Sequence, residues 1–113
     1  MEIEIRFLGM EPSESLKDHA LARAHAHFSR FGHDVRKLVV RINDVNGPKG
    51  GIDKRCVVTA MVLRFGAVSV TDVSSNTYAA VDAALQRCAH ALGGYLERGR
   101  KVRIQVWSGK IAS

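Results

Sequence analysis

The chain has 113 residues, of which 46% are hydrophobic and 25% charged, as in a single globular domain that buries its core without disulfides or metal. It does not open with a basic segment before an apolar run, and no apolar run reaches about 18 residues, so we expect a cytoplasmic protein, neither secreted nor membrane-spanning. The net charge is +6, with −2 on residues 1–34, +3 on 35–97 and +5 on 98–113. This excess indicates either a polyanionic partner, nucleic acid before acidic lipid, or a basic tail that only aids solubility.

The first third of the chain predicts a strand, a helix and a second strand. Residues 2–8 (EIEIRFL) alternate between apolar and charged side chains, which is typical of a half-buried strand. Ser13 is the expected N-cap of a helix over 13–30, which should stop at Gly32. Residues 35–43 (VRKLVVRIN) predict the second strand. The apolar positions that we expect to face the core are Ile3, Ile5, Phe7, Leu16, Ala20, Ala24, Phe28, Phe31, Leu38, Val40 and Ile42.

The rest of the chain predicts a hairpin and a long helix. Glycine and proline in 44–53 (DVNGPKGGID) indicate a loop, and the β-branched segment 54–64 predicts a third strand. A tight turn at Phe65-Gly66 leads to a fourth strand, 67–73. Ser74 and Ser75 are the expected caps of a helix over about 76–98. Its predicted buried stripe is Tyr78, Val81, Leu85, Cys88, Leu92 and Leu96.

The order β-α-β-β-β-α predicts an α+β fold. Each helix has a single apolar stripe, so the simplest packing lays both helices on one face of a four-stranded sheet, a two-layer sandwich. The first two strands, joined through a helix, should be parallel. We expect one domain over 1–98 and a basic C-terminal extension over 99–113.

Basic and imidazole side chains form a stripe on each predicted helix. On the first helix they are spaced by four, four and three residues, beside the apolar stripe, and similar spacing recurs on the second. Two such helices side by side would present a basic surface that contacts phosphates; the alternative is an ordinary solvated helix face. Basic residues of the glycine loop and the strand after it are further candidates. The candidate RNA-binding residues are Arg23, His27, Arg30, Lys49, Lys54, Arg55, Arg87, His90 and Arg98.

The sequence gives little support for a metal site, a phosphate-binding loop or catalysis. The five histidines lack the spacing and the companion ligands of a metal site, and NGPKGG lacks the spacing of a phosphate-binding loop. No catalytic motif is present, so we expect no enzyme, cofactor or metal. Cys56 and Cys88 lie in apolar segments and are expected to be core residues, not a disulfide. The histidines are expected to make binding mildly dependent on pH.

Three segments resemble the ribosome hibernation-promoting factors, a family that includes the ribosome-associated inhibitors. They are the opening MEIEIRFLGMEPSESLKDHA, the helix start TYAAVDAALQR at 77–87 and the loop DVNGPKGGIDKRC at 44–56. The likeness covers roughly residues 1–98 and implies the short, single-domain form. It also implies a fold like the double-stranded-RNA-binding domain with an extra first strand, for which RNA contact led by shape is reasonable.

The resemblance implies a specific function. Such proteins bind the small ribosomal subunit through rRNA in the channel for mRNA and tRNA, inhibit translation, and preserve bacterial ribosomes in stationary phase or stress. They need no cofactor, and we expect no DNA or membrane partner and a monomer when bound. Arg23 and Arg87 match positions that are usually basic in the family, whereas residues 90–94 lack its usual lysines and arginines. The alternatives are a regulatory protein-interaction module without ribosome binding and a general binder of double-stranded RNA.

Overall fold

The chain forms four strands and two long helices in the predicted order. The structure is a computed structural model that describes residues 1–44, 54–63 and 66–99, with side chains as far as Glu97. The first α-helix ends at Phe28, and a short 3-10 turn, Ser29–Phe31, continues the helical segment to Gly32, where it was predicted to stop. The elements are β1 (Glu2–Leu8), α1 (Glu14–Phe28), β2 (Val35–Asp44), β3 (Lys54–Val62), β4 (Gly66–Ser74) and α2 (Thr77–Gly99).

The four strands make one sheet in the order β1-β2-β3-β4. β1 pairs with β2 in parallel, with Ile5 opposite Val40, and the other two pairings are antiparallel. The buried side chains of both helices join the inward residues of the strands in one core cluster. The predicted fold class, a four-stranded sheet with both helices on one face, is therefore confirmed.

The core is built from the apolar positions that the sequence indicates. Every predicted core residue of α1 and β2 is buried, and the three apolar residues of β1 are partly buried against the same cluster. Cys56 and Cys88 are free thiols that are fully buried in this core, as predicted. Burial raises the pKa of both thiols to about 12, so neither is a reactive thiolate at neutral pH.

Helix ends follow side-chain capping, with one correction. The Ser13 hydroxyl accepts a hydrogen bond from the Leu16 backbone N–H at 3.2 Å, which confirms the predicted cap of α1. The expectation that Ser74 and Ser75 cap α2 is wrong. Asn76 caps it instead, because its side-chain oxygen accepts from the Ala79 N–H at 3.1 Å, while Ser74 still belongs to β4.

The predicted buried stripe of α2 is also wrong at its first member. Tyr78 is 39% exposed, although the other five residues of the stripe are buried. It lies in the first turn of α2, where its hydroxyl shares a hydrogen bond with Ser15 on α1 at 3.0 Å. A tyrosine in this place keeps its polar end in water, so it covers the seam between the helices without entering the core.

Several predicted segments lie outside the described residues. These are most of the glycine loop (45–53), Phe65 of the predicted turn, and the extension beyond Gly99. Among the described helices, none is both long and apolar enough to span a membrane.

Candidate nucleic-acid interface

Side-chain contacts hold α1 and α2 side by side at the ends where both helices begin. The carboxylate of Asp82 on α2 accepts a hydrogen bond from His19 Nε2 at 2.7 Å and lies 3.5 Å from Arg23 Nε, both on α1. The His19 ring also packs edge-on against Tyr78, with ring centroids 4.9 Å apart. This arrangement aligns the two predicted stripes and directs them to a common surface.

Further along the pair, a groove of about 540 Å³ lies between the two helices. Its charged and imidazole side chains are His27, Arg30, Arg87 and His90, which the sequence assigns to the two stripes. The rest of its wall is Gln86, Ala89 and Ala91, so the groove is partly apolar. Four of the candidates predicted for the helices thus meet around one feature of the surface, and Arg23 lies outside it.

The arginines of this surface differ in whether they form ion pairs with carboxylates. Arg87 Nη1 lies 3.0 Å from the Asp72 carboxylate on β4, whose side chain is only 17% exposed. Arg23 contacts Asp82 in the same way. Arg30, by contrast, makes no ion pair with any described residue and stacks over the Phe31 ring at 4.6 Å. Arg30 is therefore the arginine of the groove with the most freedom to bind an external anion.

His27 is held as a neutral imidazole. Burial lowers its pKa below the ordinary 6.5, and the neighbouring positive charges of Arg23 and Arg30 lower it further, against the opposing effect of Asp82. Arg23 Nη2 donates to His27 Nε2 at 3.3 Å, which requires that nitrogen to carry no proton. An anion in the groove would favour the charged form of this ring.

The two candidates on β3 do not join the helical surface. Lys54 Nζ pairs with Asp44 at 3.2 Å, and its side chain is only 14% exposed. Arg55 is exposed and, by strand alternation, points from the opposite face of the sheet. Lys49 lies outside the described residues, and so does the side chain of Arg98, whose backbone belongs to α2.

Sequence reasoning missed the carboxylates that pair with the arginines. Asp82 belongs to the quoted motif at 77–87, but nothing in its spacing indicates a contact with α1. Asp72 and Arg87 are fifteen residues apart on different elements, so only the packing of α2 on β4 brings them together. Across the described part of the chain, no three His, Cys, Asp or Glu side chains are grouped as a metal ion would require.

Comparison with known proteins gives a family match and two similar folds. The model of the family described as Sigma 54 modulation protein / S30EA ribosomal protein matches residues 3–100. The N-terminal domain of Thermus thermophilus Protein Y has a TM-score of 0.68 at 19% identity, covering 84% of this chain and 99% of that one. A ribosomal subunit interface protein from Coxiella burnetii has a TM-score of 0.64 at 18% identity, covering 86% and 99%. No curated protein matches the chain in sequence.

Proposed function

The chain belongs to the Sigma 54 modulation protein / S30EA ribosomal protein family, and from this premise we propose that it is a ribosome-binding factor of the hibernation type. It binds the small ribosomal subunit through rRNA in the channel for mRNA and tRNA. It thereby inhibits translation and preserves ribosomes in the bacterial cytoplasm during stationary phase or stress. The match bears out the family resemblance in the sequence, and the description of the family and the name of the Coxiella burnetii protein support a ribosomal partner.

One observation carries the proposal: the groove between α1 and α2 gathers two arginines and two histidines on one exposed surface. Guanidinium groups bind phosphate oxygens with paired donors, and the imidazoles add donors when protonated. Such contacts position a protein on RNA without reading its sequence. A rigid pair of helices therefore suits the fixed phosphate pattern of folded rRNA, and this role needs no catalytic group or cofactor.

Arg30 supplies the sharpest test because it pairs with no carboxylate among the described residues. The expected result of Arg30→Glu is a loss of affinity for small subunits of about tenfold or more, since a hydrogen bond to a charged group contributes about 1.5–3 kcal/mol. The plot of log affinity against log salt should also become shallower by about 0.9, the value for one phosphate on duplex DNA. Binding is measured by co-sedimentation and by competition with labelled protein.

Lys17→Glu is the matched control, because Lys17 is exposed on α1, the helix that leads into the turn of Arg30, but does not line the groove. It makes the same change in net charge and should leave the affinity close to that of the unsubstituted protein. Equal binding by the Arg30 variant and the control would refute the groove as the contact surface. No binding of the unsubstituted protein at low salt would refute the function itself.

A protein-interaction module without ribosome binding is the second candidate. The ion pairs of Arg23 and Arg87 with aspartates favour it, because they neutralise part of the helical surface. For the same reason, reversing these arginines to Glu is a poor test, since each variant would place two carboxylates together. If ribosomes fail to bind but a partner protein is retained through the groove, and Arg30→Glu abolishes that retention, this second function is supported.

A further inference from the structure

The sheet has a face that the helices do not cover. It consists of the alternate residues of 2–8, 37–43, 55–61 and 67–73, whose side chains point away from the core cluster. We call it the open sheet face. Val39 lies at its centre, outside the core cluster, and is nevertheless only 1% exposed.

The open sheet face is more positive than the helices. Its charged residues are Glu2, Glu4, Arg6, Lys37, Arg41 and Arg55, which leave a net charge of +2. Within α1 two acidic and two basic residues cancel, and the same holds within α2, histidines aside. The strongest local excess of formal positive charge in the described strands and long helices therefore lies opposite the groove.

The acidic residues of this face do not neutralise all of its arginines. Glu4 contacts both Arg6 and Lys37, and these hydrogen bonds lower the pKa of its carboxyl from 4.5 to about 2. Arg41 lies directly beside Arg6 in the register of β1 and β2, and like charges in such positions repel each other. Arg41 and Arg55 make no ion pair with any described residue, so a bound anion would relieve this repulsion.

Hydroxyl groups next to these arginines suit a phosphate ligand. Arg41 Nη1 lies 3.5 Å from the Thr59 hydroxyl, which shares a hydrogen bond of 3.0 Å with Ser69 on β4. Arginine, serine and threonine side chains are common phosphate contacts in nucleic-acid complexes. The described residues of this face include no aromatic ring, so it offers neither a base-stacking platform nor the aromatic anchors of many protein interfaces.

We propose that the open sheet face is a second RNA-binding surface, on which Arg41 and Arg55 take the phosphate backbone of an RNA segment. This inference rests on the proposed function and extends it: the domain is held between two RNA segments, one at the helical groove and one at the sheet.

The first test is the salt dependence of binding to small ribosomal subunits. The double variant Arg41→Gln with Arg55→Gln keeps a long polar side chain at both positions and removes two positive charges. Its log affinity should fall less steeply with log salt, by about 1.8 for two phosphate contacts. Arg36→Gln with Lys17→Gln is the control: it removes the same charge at exposed sites outside the proposed contacts and should leave the slope unchanged.

The outcomes separate this inference from the proposed function. If the Arg30 variant binds weakly while the double variant keeps the affinity and slope of the unsubstituted protein, the sheet surface is refuted and the ribosomal function stands. If the unsubstituted protein does not bind at low salt, both are refuted. Thermal unfolding of each variant shows whether a weak binder is still folded.

A second test identifies the occupant directly. Both native thiols are buried with raised pKa values, so an introduced surface cysteine can be labelled selectively. A hydroxyl-radical-generating iron chelate tethered at Thr71→Cys, on the open sheet face, should cleave rRNA in the bound complex. The same chelate at Ala22→Cys, on an exposed part of α1, should cleave different nucleotides. Cleavage of ribosomal protein alone from position 71 would overturn the RNA assignment.

Discussion

Asp82→Asn separates the contribution of one carboxylate to folding from its effect on RNA binding. Asp82 accepts from His19 at 2.7 Å and lies 3.5 Å from Arg23 Nε. The substitution keeps the shape and one acceptor oxygen but removes the negative charge. We expect the variant to be slightly less stable and to bind RNA more tightly. Partial unfolding would weaken binding as well as stability, so it cannot produce this combination.

The loss of stability should be small because the pair is exposed to water. The side chain of Asp82 is 43% exposed, and ion pairs of this kind contribute about 0–1 kcal/mol. The asparagine oxygen still accepts from His19, so the hydrogen bond between the helices is retained in weaker form. For a domain of this size, a loss of 1 kcal/mol lowers Tm by about 4 °C. The expected decrease in Tm is therefore no more than a few degrees.

The gain in affinity follows from removing a competitor of the phosphate. An RNA phosphate that binds Arg23 would lie about 7 Å from the Asp82 carboxylate, and this repulsion costs about 0.6 kcal/mol in bulk water and more where water is excluded. Its removal should raise affinity about threefold or more. If Arg23 then gains a full phosphate contact, the dependence of log affinity on log salt steepens by up to about 0.9.

Affinity for small ribosomal subunits should be measured between about 50 and about 200 mM salt, alongside thermal unfolding. Asp18→Asn is the matched control, since Asp18 is exposed on α1 and makes no ion pair with a described residue. It raises the net charge equally. Two results would refute the idea that Asp82 and phosphate compete for Arg23. One is that Asp82→Asn binds no more tightly than this control. The other is that its plot of log affinity against log salt is shallower than that of the unsubstituted protein.

Two further predictions concern pH and helix stability. Because burial and then the charge of Arg23 hold the pKa of His27 below 6.5, RNA that raises this pKa must bind together with a proton. Affinity for RNA should therefore rise as the pH falls from the pKa of His27 in the RNA complex towards its lower pKa in the free protein. The increase is up to tenfold for each unit by which RNA raises this pKa. The substitution His27→Gln should flatten this dependence of affinity on pH. Without RNA the sign is opposite: the low pKa makes the folded state lose stability as pH falls below 6.5, which acid unfolding can check. Gly93→Ala should stabilise α2 by up to about 1 kcal/mol, because a Cβ there would meet only the Phe31 ring at an ordinary 3.7 Å; a lower Tm would contradict this.

The fold was predictable because its signals are local and periodic. Alternation in β1, the Ser13 cap and the apolar spacing of both helices each depend on neighbouring residues, and together they leave few packings. The two errors in α2 have local causes as well. Asn76 is as good a cap as a serine and stands one position nearer the helix, and Tyr78 keeps the helical spacing of the core although it lies in the first turn.

The site was less predictable because its charges interact over long sequence distances. Spacing placed Arg23 and Arg87 on helix surfaces, but their partners Asp82 and Asp72 come from other elements. The open sheet face shows the same limit. Alternation indicates that Arg6 points outward, but only the strand register shows that Arg41 lies beside it.

The ion pairs change how binding at both surfaces should be understood. A phosphate that reaches Arg23 or Arg87 must replace an aspartate, and one that reaches Arg6 must compete with Glu4. Each such exchange substitutes one charged partner for another, so its net free energy is small. The affinity must then come from the number of simultaneous contacts and from arginines such as Arg30 and Arg41, which pair with no carboxylate of the described residues. Two surfaces on opposite faces of a rigid sandwich make such contacts at the same time only where RNA surrounds the protein, as in a channel. An isolated RNA duplex touches one face at a time, so it should bind more weakly.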